Sequence, residues 1–287
     1  MDGTLGGAGH STQILHLAPG ARLYGIDRDT DALEAASARL NLEHPGADVH
    51  LVHGNFHDAK DLIPESVDGI LVDLGVSSYQ LDEASRGFSY HGSAPLDMRM
   101  DQTQTLTAAE IVNTWSVEEI SRIIRDYGEE NWAVQIARVI CDRRKNARIE
   151  TADQLVEIID ASIPKKFRAK DGSHPARRTF QALRIAVNDE LAPLENALRD
   201  MVSMLRPGGR LAVISFHSLE DRIVKNTFRN LADPCTCPKN FPVCVCGKKP
   251  QVRLTPRSGI TASREELNEN PRSRSATLRV AEKLEEA

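Results

Sequence analysis

Two periods run along this chain. Between residues 21 and 73 the apolar positions come in short blocks separated by turn residues or by helical patterns. Ala21-Arg22-Leu23-Tyr24-Gly25-Ile26-Asp27 reads as a buried strand that ends in a carboxylate. Residues 29–42 follow with Ala32, Leu33, Ala36 and Leu40 on one helical face, and Asp29 stands where an N-cap belongs. Val49-His50-Leu51-Val52-His53 is a second short strand, with Gly54-Asn55-Phe56 behind it. Val67-Asp68-Gly69-Ile70-Leu71-Val72-Asp73 is the most strand-like run and ends in another carboxylate. Strands alternating with helices predict an α/β fold with a mostly parallel sheet.

From about residue 101 the texture changes. Thr107 with Glu110, Ser116 with Glu119 and Thr151 with Gln154 are three capping boxes, each opening a helical pattern. Ile120, Ile123 and Ile124 share a face, as do Ile136, Val139 and Ile140, and Leu155, Ile158 and Ile159. No strand-like run interrupts them, so residues 101–185 are expected to be an all-helical insertion. It would divide one sheet domain into 1–100 and 186–287. The sheet pattern resumes after Pro193 and the periodic Leu194, Leu198, Met201 and Leu205. There Arg206-Pro207-Gly208-Gly209-Arg210 turns into the strand Leu211-Ala212-Val213-Ile214-Ser215-Phe216. Ala276, Leu278 and Val280 alternate as in a closing strand.

Ahead of the first strand the chain reads Met1-Asp2-Gly3-Thr4-Leu5-Gly6-Gly7-Ala8-Gly9-His10. Glycine-rich turn, helix, strand and terminal Asp27 follow in the order of half a dinucleotide-type fold. Glycines let backbone N–H groups approach a ligand. The following helix N-terminus favours an anionic group, and Asp27 can accept hydrogen bonds from ribose hydroxyls. A nucleoside-bearing ligand is therefore expected. A parallel sheet of this type normally has a strand directly before the glycine turn, where only Met1 stands. The central first strand is thus expected to be truncated, and a longer form with an apolar strand before Asp2 to be the stable and active one.

Composition bounds the rest. No run of about 18 apolar residues exists to span a membrane, and no basic-then-apolar leader opens the chain. The five cysteines do not form a secreted disulfide framework, so a cytoplasmic protein is expected. Cys235, Cys237, Cys244 and Cys246 offer four thiols, but C-x-C suits zinc less well than C-x-x-C. Reduced loop cysteines without a metal are the expectation. Net charge is −5, yet residues 138–184 carry twelve Lys/Arg against six Asp/Glu, so 12 − 6 = +6 locally and about −11 elsewhere. Arg143, Arg144, Lys145, Arg148, Lys165, Lys166, Arg168 and Lys170 make the insertion a candidate surface for a phosphate backbone. Solvated helix faces are the alternative.

The spelling D-G-T-x-G-x-x-G-H-S at residues 2–11 resembles the RsmH/MraW family of S-adenosylmethionine-dependent 16S rRNA cytosine-N4 methyltransferases. So do D-L-G-V-S-S-x-Q-L-D from Asp73, R-G-F-S from Arg86 and P-L-D-M-R-M from Pro95. R-R-T-F-Q-A-L-R-I-A-V-N-D-E-L from Arg177, S-F-H-S-L-E-D-R from Ser215 and N-P-R-S-R-S-A-x-L-R from Asn270 extend the likeness to nearly the whole chain. The resemblance implies a Rossmann-like class I methyltransferase domain with the helical insertion, binding S-adenosyl-L-methionine. It places Ala8, Gly9 and His10 at the methionine end, Asp27 at the ribose, Phe56 at the adenine, and Asp73 and Gln80 in the cofactor site. Tyr79 stands where the family usually has proline, which leaves the loop's course there less fixed. Asp73 is also the candidate to position the cytosine N4 or accept its proton. His217 is a weaker candidate base, and a locally hydrogen-bonded strand-end histidine is the competing reading. Phe88 or Tyr90 is a candidate to stack on the base. The implied partner is 16S rRNA in the small ribosomal subunit, with no membrane, and a homodimer is left open. Two other readings remain: a non-catalytic RNA-binding or ribosome-assembly module on this fold, and an NAD-dependent oxidoreductase, which would need G-x-G-x-x-G and a second mononucleotide half.

Overall fold

The computed structural model describes residues 1–167, 174–238, 243 and 245–285. Its contacts divide the chain into two units. Met1–Gly75 with Leu191–Ala287 form one, and Val76–Glu190 form the other.

The first unit is a sheet with helices. Strand β1 (Leu23–Asp27) pairs in parallel with β2 (Val49–His53), from Leu23 opposite Val49 to Asp27 opposite His53. Strand β3 (Val67–Asp73) pairs in parallel with β4 (Leu205–Ser215). Short strands β5 (Val252–Leu254) and β6 (Ile260–Thr261) both lie antiparallel to β7 (Thr277–Lys283), which itself runs antiparallel beside β4. Between β1 and β3 runs the extreme N-terminus. Asp2 makes parallel bridges to Gly25 on one side and Leu71 on the other. Asp2 N donates to Tyr24 O at 2.8 Å, Gly3 N to Leu71 O at 2.8 Å, and Leu71 N to Met1 O at 3.0 Å. Residues 1–3 therefore occupy the central strand position that the sequence pattern left nearly blank, and they satisfy backbone groups on both neighbours.

Side-chain periodicity explains the flanking layers. The helix Thr30–Glu43 buries Ala32, Ala36 and Leu40 at i, i+4 and i+8, and Asp29 caps it by accepting from Asp31 N. One apolar cluster joins Ile26, Val72, Leu211, Val213, Leu198 and Phe228 across the sheet and its helices. A smaller one joins Leu5, Leu15, Leu23 and Leu40 on the glycine-turn side. The Pro207-Gly208-Gly209 turn sits inside β4 and breaks its register with β3, from Val67 opposite Leu205 to Gly69 opposite Arg210. Gly208 has φ +78, and a Cβ on Gly209 would meet Arg206 O at 2.8 Å. Glycine is needed at both positions.

The second unit has no strand among its described residues. Its helices are Ala108–Thr114, Val117–Asp126, Ala133–Arg143, Ala152–Ser162 and Arg177–Asn188, with the short Ser78–Asp82 before them. Two of the three expected capping boxes close, Ser116/Glu119 and Thr151/Gln154, while at the third Thr107 accepts from Glu110 N and the Glu110 carboxylate pairs instead with Arg148. The division falls at Val76 and Glu190, where the sequence pattern put it at 101 and 185. The reason lies in residues 84–100. Phe88, Ala94, Leu96, Met98 and Met100 are buried in the same cluster as Ile111, Ile124, Ile136 and Leu183. The non-periodic loop is a core layer of the helical unit.

Candidate active site

The turn from Thr4 to Ala8 joins the ends of β1 and β3. Gly6 N donates to Asp27 Oδ2 at 2.7 Å, and Asp29 N donates to Asp27 Oδ1 at 2.9 Å. Two residues earlier in the same turn, Thr4 Oγ1 accepts from Asp73 N at 2.6 Å. The two strand-end aspartates are thus tied to one five-residue turn, Asp27 through its carboxylate and Asp73 through its backbone N–H, at the carboxyl edge of parallel strands where ligands of such sheets bind.

Each piece of this arrangement has a local cause. Ala8 is buried and adopts φ 60, ψ 27, a left-handed conformation that costs a non-glycine residue about 1–2 kcal/mol. It starts the helix Gly9–Leu17, which has no side-chain cap and no acidic residue in its first turn. Its leading N–H groups and dipole are left to favour an anion. Asp2, which the motif reading did not single out, is buried beneath the turn. It accepts from Ser11 Oγ at 2.7 Å and Thr4 N at 3.2 Å. Burial pushes its carboxyl above the ordinary value, and the Ser11 and Thr4 hydrogen bonds pull the other way.

Burial likewise raises Asp27, opposed by the Asp29 and Gly6 amides. Both Asp27 oxygens already have one donor, and each keeps a second lone pair for a hydroxyl. His10 Nε2 lies 3.6 Å from Asp73 Oδ2. The neighbouring Asp73 carboxylate raises the imidazole's pKa above its ordinary value, and desolvation lowers it. Asp73 Oδ1 is buried with no hydrogen-bond partner among the described residues. A buried carboxylate oxygen left without a donor is costly and asks for a ligand. Phe56 is half-buried after β2, with its Cβ 3.2 Å from where a Cβ on Gly3 would stand. His57 beside it, unforeseen in the sequence, is desolvated and faces the Arg28 charge, which together push its pKa down to about 4.

Three expected site residues have structural occupations. Gln80, in the helical unit, is buried and closes a capping box with Ser77: its Oε1 accepts from Ser77 N at 3.1 Å. His217 caps the helix Ser218–Ala232, its Nδ1 accepting from Glu220 N at 3.4 Å. Its Nε2 stands 3.1 Å from Glu220 Oε1 without forming a hydrogen bond. Phe88 is 6% exposed in the helical core, whereas Tyr90 stacks on His174 at 4.7 Å. Two motifs also meet in one ion pair, with Arg279 Nε and Nη2 donating to Asp221 at 2.7 and 2.9 Å. This bidentate clamp joins β7 to the helix after β4.

A mostly parallel sheet, an antiparallel β7, a glycine turn and acidic strand ends define a Rossmann-like, class I methyltransferase domain. The sequence profile of the MraW methylase family matches residues 1–284. The chain belongs to that family and is a methyltransferase. It is 56% identical over 291 residues to "Ribosomal RNA small subunit methyltransferase H" of Symbiobacterium thermophilum, covering 99% of this chain and 90% of that one. The protein of the same name from Lachnospira eligens is 54% identical, with 99% and 91% covered. That from Ruminiclostridium cellulolyticum is 50% identical, with 99% and 92% covered. Among the described residues no helix is long and apolar enough to cross a membrane.

Proposed function

We propose that this chain transfers a methyl group from S-adenosyl-L-methionine to the N4 amino group of a cytosine in the decoding region of 16S rRNA, in the cytoplasm. The observation that carries the reading is the pair Asp27 and Asp73, fixed to one glycine turn, with Asp73 Oδ1 buried and in want of a donor. The residues fit the cofactor. The Ala8-Gly9-His10 helix start suits the methionine carboxylate, the spare Asp27 lone pairs suit the ribose hydroxyls, and Phe56 suits the adenine. When bound, S-adenosylmethionine supplies an electrophilic methyl group on its sulfonium.

The chain's own residues do the rest. A cytosine N4 is a poor nucleophile because its lone pair is delocalised into the ring. Holding it in line with the methyl group is worth up to about 7–11 kcal/mol in favourable cases. Asp73 orients the amino group and takes its proton as nitrogen attacks, a contribution of roughly 10²–10⁴-fold. The base must first leave its stack.

The helical unit holds the RNA. Arg138, Arg143, Lys145, Arg148, Lys165, Lys166, Arg177 and Arg178 are exposed there. Phe167 is 56% exposed, with Trp132 at 5.3 Å and Lys166 Nζ at 4.8 Å from its ring. An exposed aromatic among cations is suited to stacking a base beside phosphates. Arg168 and Lys170 of the expected basic set lie outside the described residues.

Mass spectrometry of small-subunit rRNA from a strain lacking this gene tests the reading. Loss of one cytosine N4-methyl group, restored by the wild-type gene and not by Asp73→Asn, is expected. An unchanged methylation pattern would overturn it.

A further inference from the structure

The chain between the helix Ser218–Ala232 and β5 carries a chemistry that the methyl-transfer site does not use. None of its described residues, 233–238, 243 and 245–251, is buried. Val243 and Val245 are 69% and 73% exposed. Such a segment gains almost nothing from apolar burial to offset the entropy of ordering it. Yet three of its side chains converge. The sulfurs of Cys235, Cys237 and Cys246 all lie within 4.8 Å of one another.

We propose that Cys235, Cys237 and Cys246 bind a thiophilic divalent metal ion, of which zinc is the representative, at a structural site. Distances support it. A tetrahedral ion with Zn–S bonds of about 2.3 Å has S···S edges of about 3.8 Å. Cys246 Sγ is 3.9 Å from Cys235 Sγ, so that edge is already formed. No separation exceeds 4.8 Å, so closing the triangle needs a movement of at most about 1 Å. A disulfide would draw only two sulfurs together, to about 2.05 Å, and would leave the third without a purpose.

The backbone is arranged for thiolates as well. Val245 N donates to Cys237 Sγ at 3.3 Å, and such N–H donors stabilise charge on sulfur. Gly247, directly after Cys246, has φ +66, so the chain turns sharply behind the ligand. Each thiol loses its proton on binding, so loading the site releases three protons to solvent; a fourth donor, from solvent or protein, completes the tetrahedron. The ion would replace the missing core and hold this segment against β5 and the helix before it. The sequence pattern alone argued against a metal, because C-x-C spacing is uncommon in zinc sites. Convergence of Cys246 from nine residues beyond Cys237 is visible only in the fold. Cys244 lies outside the described residues.

The test is metal analysis of the full chain, purified under reducing conditions and desalted. About one zinc ion per chain is expected, falling below about a tenth in the Cys235→Ser/Cys237→Ser/Cys246→Ser variant. Cobalt titration of the reduced wild-type chain gives a second readout that does not depend on the variant folding. Thiolate-to-cobalt charge-transfer bands with intense tetrahedral d–d bands are expected. Equal metal content in wild type and variant, absence of those bands, or a Cys235–Cys246 disulfide in the freshly alkylated protein would each overturn the proposal.

Discussion

His57 stands next to Phe56 with its Nε2 buried and without a hydrogen-bond partner among the described residues. Its pKa is pushed down to about 4 from 6.5. Below 6.5 the unfolded chain takes up a proton that the native state refuses until about 4, so stability falls as pH drops through that window. The slope is about 1.4 kcal/mol per pH unit. Urea unfolding across the window should show the His57→Gln variant losing less stability than wild type, by about 3 kcal/mol at the acid end. Parallel curves would mean that His57 is solvated. The same scale separates motif residues by the bonds they make within the chain. His217 and Gln80 cap helices. Asp221 holds Arg279. Asp27 and Asp73 alone combine strand-end position with contact to the glycine turn. Sequence spacing could find the strand ends, because Leu23–Asp27 and Val67–Asp73 are apolar blocks with a terminal carboxylate. For His217 it left a base and a locally bonded histidine both open; the structure shows the local bond, in the form of an N-cap, where histidine is unusual.

At the scale of elements, the segment from Arg86 to Met100 explains where the pattern misled. It has neither a two-residue nor a 3.6-residue period, so it reads as a loop available for function. Its order comes from polar groups that reach far along the chain. Arg86 Nη2 donates to Arg99 O at 3.0 Å and Met100 O at 2.9 Å. Asn188 Oδ1 accepts from Met100 N at 2.8 Å, and its Nδ2 donates to Met98 O at 2.7 Å. Periodicity carries no trace of such bonds, and Phe88 consequently looked free to meet a base. Gly87 is the pivot. It has φ +72, and a Cβ there would stand 2.1 Å from Pro95 O. Gly87→Ala should destabilise the helical unit by more than about 3 kcal/mol. Both tryptophans, Trp115 and Trp132, lie in that unit, so the midpoint of their fluorescence transition in urea reads the loss directly. A midpoint shift equivalent to under about 0.5 kcal/mol at the transition's m-value would show that the loop yields without strain.

Across the whole molecule, charge is distributed against the average. A chain of net −5 carries +6 between residues 138 and 184, inside the helical unit. Binding of an rRNA fragment should therefore weaken steeply with salt, and replacing Lys165 and Lys166 with alanine should lower the log–log slope by about 2. Filter binding over a range of salt concentrations measures it, and an unchanged slope would place the phosphates elsewhere. Two apolar cores are built from different stretches of chain, one around the sheet and one around five helices, and the basic stretch lies within the second, whose other residues are net acidic. The alternation of strands and helices, the helical stretch and the acidic strand ends were legible from period and terminal residues. The central strand position taken by Met1, Asp2 and Gly3 was not, because three residues are too few to show a period and only their hydrogen bonds to both neighbours reveal it.

In the proposed function Asp27 and Asp73 serve one ligand at one glycine turn. Calorimetric titration of the full chain with S-adenosyl-L-methionine tests that most directly. One site per chain is expected, no heat with NAD, and a dissociation constant raised at least about tenfold by Asp27→Ala, a loss of about 1.4 kcal/mol. Silence with S-adenosyl-L-methionine, or an Asp27→Ala constant equal to wild type, would contradict it.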